Sequence, residues 1–247
     1  MRGELLGLAS LLRHRVEFSR EGDWTAPVEV AALPVEALDK GARLAALAGE
    51  IKACRKCPLG ATRLNAVPGV GSPEARVLFV GEGPGFEEDH KGEPFVGKSG
   101  QLLDRILASI GLSRQSVYIA NVVKCHPMQD PANPEARGND RPPSPEETQA
   151  CRAYLDEQIR VIAPKVLVTL GAVAMRALLG EPSLRRVRGQ WRSYTPAFAG
   201  ARAIRLLPTY HPAALLRDPS LKQDVWTDMK NLKLEVQKTG SCGNPGL

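Results

Sequence analysis

The sequence of 247 residues is long for one average domain and short for two, and it is long enough to bury a core. Hydrophobic residues make up 43% and charged residues 24%, which are ordinary values for a folded globular protein, and no run of about 18 apolar residues could span a bilayer. The 33 basic and 27 acidic residues leave a net charge of +6, which favours a polyanionic partner such as nucleic acid without establishing one. These values exclude a membrane-spanning or disordered chain.

The first 34 residues mix an apolar patch, a charged stretch and Trp24 without sustained periodicity, so we interpret residues 1–34 as a flexible appendage. Their beginning, MRGELLGLASLLRHR, resembles a signal peptide, but Glu4 interrupts the apolar stretch. Arg13 and Arg15 also stand where such a peptide needs small residues for cleavage. We therefore expect a chain that is not exported.

Beyond this appendage, helical and strand-like apolar patterns alternate. A helix is predicted from Pro34 through Ile51. Ser144 and Glu147 form a capping box that marks the start of a later helix. The predicted strands cover residues 77–80, 117–123, 166–170 and 204–207, and the other predicted helices cover residues 102–110, 145–163, 172–179 and 222–236. This alternation is typical of βαβ units and predicts an α/β fold of three layers, α/β/α, around a central, mostly parallel four-stranded sheet.

Four segments follow the ends of the predicted strands: GEGPG at 81–85, Asn121, Gly171 and His211. In open parallel sheets, ligands bind in the crevice beyond the carboxyl ends of the strands. If the alternation is correct, the four segments share one edge of the sheet. We therefore predict the active site at that edge.

Five cysteines are an odd number in a chain without a secretory signal, so metal or cluster ligation is a better interpretation than a disulfide framework. Cys54 and Cys57 form a C-x2-C pair, Cys125 and Cys151 follow at wider spacing, and Cys242 is left in the tail. Unligated buried cysteines are the less favoured alternative, because a C-x2-C beside a loop-forming proline fills a core poorly. Four thiolates fit a structural zinc or an iron–sulfur cluster, and the spacing alone leaves both open.

The glycine-rich segment at 81–85 could hold a phosphate through its backbone N–H groups, but it lacks the Lys-Ser/Thr of a P-loop and the G-x-G-x-x-G spacing. It is equally consistent with a tight turn. Acidic residues crowd nearby at Glu82, Glu87, Glu88 and Asp89. Such groups are usually solvated, although one of them could hold a water molecule.

Residues 184–217 contain seven arginines and no acidic residue, with Trp191, Tyr194 and Tyr210 between them. This pattern fits either an exposed basic strand pair or a phosphate-binding surface with aromatic side chains for stacking. A lone histidine such as His211 is more often structural, but here it lies at the predicted ligand edge within a proline-anchored loop.

Taken together, these motifs resemble a known family. GEGPGFEEDHKGEPFVGKSGQLLDRIL, VYIANVVKCHP, PEETQAC and TYHPAALLR, with CRKCP upstream, are similar to the family 4 uracil-DNA glycosylases, the thermostable-type iron–sulfur enzymes. The similarity covers roughly residues 44–236. Two features depart from the family pattern: a Pro- and Asn-rich loop at about 128–141 and the N-terminal extension. The related cross-linking enzymes are also similar, but they have an extra basic, histidine-containing loop that this sequence lacks.

The resemblance implies a uracil-DNA glycosylase-like fold over residues 35–237, followed by a flexible tail at 238–247. It implies an enzyme that flips uracil out of double- or single-stranded DNA and hydrolyses the N-glycosidic bond, leaving an abasic site in base excision repair. It implies a monomer in the cytoplasm of a bacterial or archaeal-type cell, associated with the nucleoid. It also implies a [4Fe–4S] cluster on Cys54, Cys57, Cys125 and Cys151.

The same resemblance assigns residues to a base pocket. Phe95 would stack on the flipped ring, and Asn121 would pair with its N3–H and O4. His211 would donate toward O2 as negative charge develops on the leaving uracil. Gly83 stands where the family 1 glycosylases have a catalytic aspartate, so Glu82 is the candidate for positioning water or stabilising the sugar cation.

The remaining assignments concern the pocket wall and the DNA. Gly81 and Gly83 are assigned to substrate binding, and Glu88 would crowd a thymine methyl group. Leu215 would be the apolar wedge that fills the gap in the base stack, and Arg217 would contact a phosphate or the orphan base.

A non-catalytic iron–sulfur or zinc module that binds nucleic acid on the same fold is the alternative function. The presence of Phe95, Asn121 and His211 argues against it, because a binding module has no need of all three. An esterase or nucleotide hydrolase is disfavoured, because the sequence has neither a G-x-S-x-G nor a P-loop signature.

Overall fold

The structure, a computed structural model, describes residues 39–240 of the chain. The appendage predicted at 1–34 and Cys242 lie outside the described residues. In chain order, the helices are α1 Lys40–Ala53, α2 Leu59–Thr62, α3 Phe86–Lys91, α4 Lys98–Ser109, α5 Pro145–Ile162, α6 Ala172–Leu179, α7 Leu184–Val187, α8 Pro212–Arg217 and α9 Lys222–Gly240. The strands are β1 Val70–Gly71, β2 Val77–Gly81, β3 Tyr118–Asn121, β4 Val166–Leu170, β5 Arg192–Tyr194 and β6 Ile204–Thr209. None of the helices between residues 39 and 240 is long and apolar enough to cross a membrane.

The strands form one mixed sheet in the order β1-β3-β2-β4-β6-β5. The inner strands β3, β2, β4 and β6 are parallel, and the outer strands β1 and β5 pair antiparallel to their neighbours. The predicted α/β class is confirmed, and the inner strands are those expected from the apolar patterns. The sheet exceeds the expected four strands by β1 and β5, which are too short to show an alternating pattern.

Helices cover both faces of the sheet and pack against it through apolar residues. Strands β2 and β4 are buried along their whole length, as expected for parallel strands covered on both sides. One face packs against α1 and α5 through a cluster that includes Leu44, Ile51, Leu78, Leu155 and Leu167. The other face packs against α4 and α9 through a cluster that includes Phe79, Leu103, Leu107, Val168 and Leu232. These two clusters produce the three-layer arrangement.

Local signals fix both ends of α5, the helix that contains Cys151. The Ser144 hydroxyl accepts from the Glu147 N–H at 3.2 Å, and the Glu147 carboxylate accepts from the Ser144 N–H at 2.8 Å. These reciprocal bonds form the predicted capping box. The helix ends at Ala163, which adopts a left-handed conformation before Pro164, as the sequence predicts.

Helix boundaries elsewhere differ from the apolar patterns by a few residues. Helix α4 begins at Lys98, four residues before the predicted start at 102, because its first turn is polar and gives no apolar signal. Helix α9 extends beyond the predicted end at residue 236 to Gly240. The first predicted helix is described from Lys40, where the Asp39 carboxylate caps it by accepting from the Ala42 N–H at 2.7 Å.

Candidate active site and cysteine cavity

A cleft of about 600 Å³ opens at the carboxyl ends of the inner strands. The glycine-rich segment, Asn121, Gly171 and His211 all line it, so the fold brings together the four segments that follow the predicted strands. Phe95, Glu88 and Arg217 line the same cleft. The edge of the sheet therefore collects most of the candidate site residues.

Asn121 ends β3 directly beside Gly81 at the end of β2. Its side chain is only 1% exposed, and within residues 39–240 its Oδ1 atom has no hydrogen-bond partner. A Cβ atom at position 81 would collide with Asn121 Oδ1 and would lie 2.6 Å from Phe95 Cζ. Glycine at position 81 is therefore what leaves room for both side chains. A buried amide oxygen without a partner needs an explanation, and a ligand donor supplies one.

The backbone of Phe95 is fixed in an unusual conformation. Phe95 is 4% exposed and has a φ of +55°, which places it in the left-handed region that non-glycine residues seldom adopt. The Glu88 carboxylate accepts from the N–H groups of Val96 and Gly97 at 2.9 and 3.0 Å, and Arg114 donates to the Phe95 carbonyl. The Phe95 ring is thereby held at the cleft, with its centroid 5.4 Å from that of the His211 ring.

His211 follows β6 and caps α8. Its Nδ1 atom accepts from the Ala213 N–H at 3.1 Å, so the proton of the neutral ring lies on Nε2. Burial, together with the nearby Arg217 guanidinium, lowers the pKa of the His211 imidazole to about 4. At neutral pH the ring is therefore a neutral donor through Nε2–H.

The two glutamates of the site have different environments. Burial raises the pKa of Glu82, the charge of Asp140 raises it further, and the Arg217 guanidinium opposes both. Glu88 lines the cleft, but its carboxylate oxygens accept backbone N–H groups on both sides of α3, including that of Gly85 at 3.2 Å. Within residues 39–240 the Glu82 carboxylate accepts no hydrogen bond, whereas Glu88 shapes the cleft wall by binding backbone N–H groups.

The predicted wedge differs from what the structure shows. Leu215 is 2% exposed and belongs to the core cluster under α8, which contradicts an apolar side chain that enters DNA. Leu216, the next residue, is 46% exposed. Helix α8 packs its Leu215 face against the sheet, so Leu216 and Arg217 are the exposed residues at its end.

The arginine-rich segment is divided between structure and surface. Tyr194 is buried and its hydroxyl accepts from Arg152 at 2.6 Å, so it offers no stacking surface. The Arg205 guanidinium lies 4.6 Å from the centre of the Trp191 ring. Exposed arginines next to the cleft are Arg185 and Arg186 on α7 and Arg217 on α8.

Four cysteines line one small cavity of about 10 Å³, which we call the cysteine cavity. Cys54 follows α1, Cys57 precedes α2, Cys125 follows β3 and Cys151 lies in α5. Cys54 and Cys57 share the segment between α1 and α2, so the cavity joins three separate segments of the chain.

Hydrogen-bond donors surround these sulfur atoms. Arg63 Nη1 donates to Cys125 Sγ at 2.8 Å, and the backbone N–H groups of Lys124 and Lys56 donate to Cys151 Sγ and Cys54 Sγ at 3.3 and 3.4 Å. Burial raises the pKa of the Cys125 thiol to about 11 and also raises that of Cys151, so the isolated thiols are protonated. Among the described residues, no group of three or more His, Cys, Asp or Glu forms a site for a single metal ion. Four sulfurs, three of which accept from N–H donors, are a ligand set that suits an iron–sulfur cluster, whose thiolates accept such bonds.

Two buried polar networks near Cys125 were not anticipated from the sequence. Lys124 Nζ donates to the Asn121 carbonyl and to Gln158 Oε1, both at 2.7 Å, and so connects the cleft to α5. His126 is fully buried, and its Nε2 lies 2.6 Å from Asp140 Oδ1. Lys124 and His126 flank Cys125 in the buried run after β3, and charged residues in such a run are the signal that could have revealed both networks.

Comparisons with known proteins agree with this geometry. The sequence model of the Uracil DNA glycosylase superfamily matches residues 68–230. A type-4 uracil-DNA glycosylase of Archaeoglobus fulgidus is 43% identical over 188 residues, covering 74% of this chain and 88% of that protein. Type-4 uracil-DNA glycosylases of Sulfurisphaera tokodaii and Thermotoga maritima are 43% and 41% identical over 190 and 194 residues, covering 74% and 77% of this chain and 80% and 93% of those proteins. The family resemblance of the motifs is confirmed: the chain belongs to the uracil-DNA glycosylase superfamily, among its type-4 members.

Proposed function

We propose that the enzyme flips uracil out of DNA and hydrolyses its N-glycosidic bond, leaving an abasic site for base excision repair. The observation that supports this most directly is the unpartnered, buried Asn121 Oδ1 at the carboxyl edge of the sheet. An extruded base is the ligand whose polar edge would satisfy it.

Asn121 reads the base. Uracil presents N3–H as a donor and O4 as an acceptor, and one asparagine amide complements both through Oδ1 and Nδ2. Cytosine reverses the pair, because its N3 accepts and its N4–H2 donates. Phe95 stacks on the ring from a backbone that its neighbours hold rigidly. Uracil is thus selected by hydrogen bonds and held by stacking.

His211 assists the leaving group. As the C1′–N1 bond breaks, its electron pair moves onto the uracil ring and negative charge develops at O2. The neutral Nε2–H of His211 donates to that oxygen, in the same manner as an oxyanion hole. Glu82 positions the water that adds to C1′ and stabilises the positive charge of the sugar.

DNA lies across the mouth of the cleft, with Arg217 contacting a phosphate or the orphan base. The exposed Arg185 and Arg186 extend the basic surface on α7. Both double- and single-stranded DNA are substrates, and the protein acts as a monomer in the cytoplasm at the nucleoid. Residues 35–237 form the glycosylase domain.

Cys54, Cys57, Cys125 and Cys151 would hold a [4Fe–4S] cluster. The buried sulfurs and their N–H donors support this assignment. When bound, the cluster would supply four strong iron–thiolate bonds that tie α1, α2, α5 and the segment after β3 together. Hydrolysis of a glycosidic bond transfers no electron to or from the substrate, so this contribution is structural.

The test is excision of uracil from a labelled oligonucleotide, followed by alkaline cleavage at the abasic site. Strand cleavage is expected with uracil and not with thymine at the same position. Binding of the oligonucleotide without cleavage would favour the non-catalytic module, which the relatives and the assembled site do not favour.

A further inference from the structure

Asp140 lines the cleft, but the mechanism proposed above gives it no role. It lies near the end of the loop at 128–141, which we call the insertion loop. Backbone bonds close the loop at its base: the Gln129 N–H donates to the Asn139 carbonyl at 2.8 Å, and the Arg141 N–H donates to the Pro127 carbonyl at 3.1 Å. The base of the loop therefore delivers Asp140 to the cleft from a fixed backbone.

In the part of the chain that the structure describes, the Asp140 side chain is anchored through one oxygen, Oδ1. Its Oδ1 lies 2.6 Å from Nε2 of the fully buried His126, and Nδ1 of that histidine lies 3.5 Å from the fully buried Asp89. Asp89 is fixed in turn by the backbone N–H groups of Leu64 and Asn65, at 3.0 to 3.2 Å. The Asp140 side chain is nevertheless 59% exposed. The buried His126, with Asp89 beside it, thus holds a carboxylate whose second oxygen, Oδ2, accepts no hydrogen bond within residues 39–240.

Glu82 is the carboxylate with which Asp140 interacts in the cleft. Glu82 and Asp140 line the same cleft. Burial is the main cause of the raised pKa of Glu82; the Arg217 guanidinium lowers that pKa, and the Asp140 charge makes a smaller contribution that raises it. Two carboxylates that share a site do not ionise independently, and the one with the stronger hydrogen bonds keeps its charge more readily. Glu82 is the more buried of the two, and burial raises its pKa, so Glu82 is the proton acceptor of the pair.

We propose that Asp140 is a second catalytic carboxylate, which binds the attacking water together with Glu82 and stabilises the positive charge of the sugar. This proposal rests on the role proposed for Glu82. The water oxygen bonds to C1′ as the C1′–N1 electron pair leaves on the uracil ring. One water proton passes to Glu82, and the other stays on the new C1′ hydroxyl, which donates to Asp140 Oδ2. Atoms and charge balance, because the uracil anion and the protonated Glu82 replace water and ionised Glu82.

Asp140→Asn is the first test. The asparagine Oδ1 can still accept from His126, so the loop base is retained, but the negative charge is lost. With enzyme in excess over DNA, the single-turnover rate of uracil excision is expected to fall by at least about tenfold. The matched control is Glu135→Gln on the same loop. Glu135 also lies against a histidine, 3.0 Å from His90 Nε2, but it does not line the cleft, so its loss should leave the rate unchanged.

The pH profile separates this chemistry from a purely structural effect. Arg217 on α8 and Asp140 on the insertion loop act electrostatically on Glu82. The other ionisable groups that line the cleft are Glu87, Glu88, Arg141, Tyr210 and His211. Removing the Asp140 charge lowers the pKa of Glu82, so the acidic limb of the rate profile should move to lower pH in Asp140→Asn. A structural loosening of the loop would lower the rate without moving that limb.

Asp140→Ser provides a second variant that removes the charge with a different side chain, and unfolding temperatures are measured for all proteins. Slow excision in both variants at wild-type unfolding temperature, with the displaced limb, is the expected result. Wild-type rates in both, or a loss that follows a lowered unfolding temperature with an unmoved limb, would overturn the proposal. Glu82→Gln distinguishes the two levels: slow Glu82→Gln with normal Asp140→Asn refutes only the role of Asp140, whereas normal Glu82→Gln refutes the role proposed for Glu82.

Discussion

The cleft and the cysteine cavity lie at the two ends of one short segment, from Asn121 to Cys125, and their polar groups are organised in opposite ways. In the cleft, a buried acceptor, Asn121 Oδ1, is left without a partner in the described part of the chain. In the cavity, N–H groups already point at the sulfurs. The cleft, at about 600 Å³, has room for a base. A site that receives and releases a ligand leaves a hydrogen-bonding group unsatisfied until the ligand binds. A site that keeps its ligand already has the N–H groups that donate to the ligating atoms in place.

The largest effect is expected when the cavity loses a ligand. Cys125→Ala should abolish the broad absorption at about 400 nm that an iron–sulfur cluster gives, and it should prevent folding, because the sulfurs connect three separate segments of the chain. Absorption and circular dichroism of the purified protein measure both. Cys242→Ala is the matched control and should be silent. A colourless wild-type protein containing one zinc per chain would contradict the cluster assignment.

A change at the cleft end should affect chemistry without affecting the cavity. Asn121→Asp replaces the amide donor by a carboxylate that repels uracil O4. The activation barrier of excision should therefore rise by about 1–3 kcal/mol for each mispaired contact, and the rate should fall accordingly. Single-turnover excision from uracil and cytosine single strands measures this, and a trace of cytosine release is expected because the carboxylate accepts from N4–H2.

The same substitution at exposed Asn133 should leave excision and absorption unchanged. If folded Asn121→Asp with wild-type absorption excises uracil at the wild-type rate, another residue reads the base.

The His211 environment predicts a moderate dependence of stability on pH. The folded pKa of about 4 lies below the ordinary 6.5, so the unfolded chain binds a proton that the folded chain does not. The contribution is therefore present above pH 6.5 and is lost as the pH falls towards 4. Unfolding temperatures at pH 7 and pH 5 should differ less in His211→Asn than in wild type, by a few degrees.

His90→Asn serves as the opposite control for this prediction. The exposed His90 has a raised pKa, because Glu135 and the Phe86 carbonyl accept from it. Its removal should not reduce the fall in stability between pH 7 and pH 5. An equal fall in wild type and His211→Asn would show that His211 titrates normally in the folded protein.

The smallest effect is expected at the surface. Arg217→Ala should weaken binding to DNA and lower the slope of log K against log salt by about one unit, because one phosphate contact is lost. Lys165→Ala, at the amino end of β4 and away from the cleft, should leave the slope unchanged. Fluorescence anisotropy over a range of salt concentrations measures both, and an unaltered slope in Arg217→Ala would remove Arg217 from the phosphate contacts.

Periodicity and topology predict the inner sheet and the location of the cleft. Continuous apolar runs identify strands buried on both faces, and the carboxyl-edge rule then places Asn121 and His211 together. The signals for α5 are local hydrogen bonds of Ser144 and Glu147, which sequence spacing specifies directly. The outer strands escape such reasoning, because two or three residues define no period.

The sequence does not predict which side chains of a short helix or loop are buried and which are exposed. Helix α8 has six residues, so one apolar pair, Leu215 and Leu216, does not reveal which member is buried. Glu88 resembles a solvated acid in the sequence, yet it holds the loop after Phe95. The contact between His126 and Asp140 spans a loop without regular structure, and only the fold brings the two together.

Gly81 shows how small a margin defines the base-binding space. A single added carbon there would meet Asn121 Oδ1 and the Phe95 ring at once. An alanine at position 81 would therefore displace the residue that reads the edge of the base and the residue that stacks on its face in one step, while the Arg217 surface stays outside the clash. One added methyl group thus separates DNA binding from base binding. The Gly81→Ala protein should bind uracil-containing DNA without cleaving the glycosidic bond, which makes it suitable for structural study of that complex.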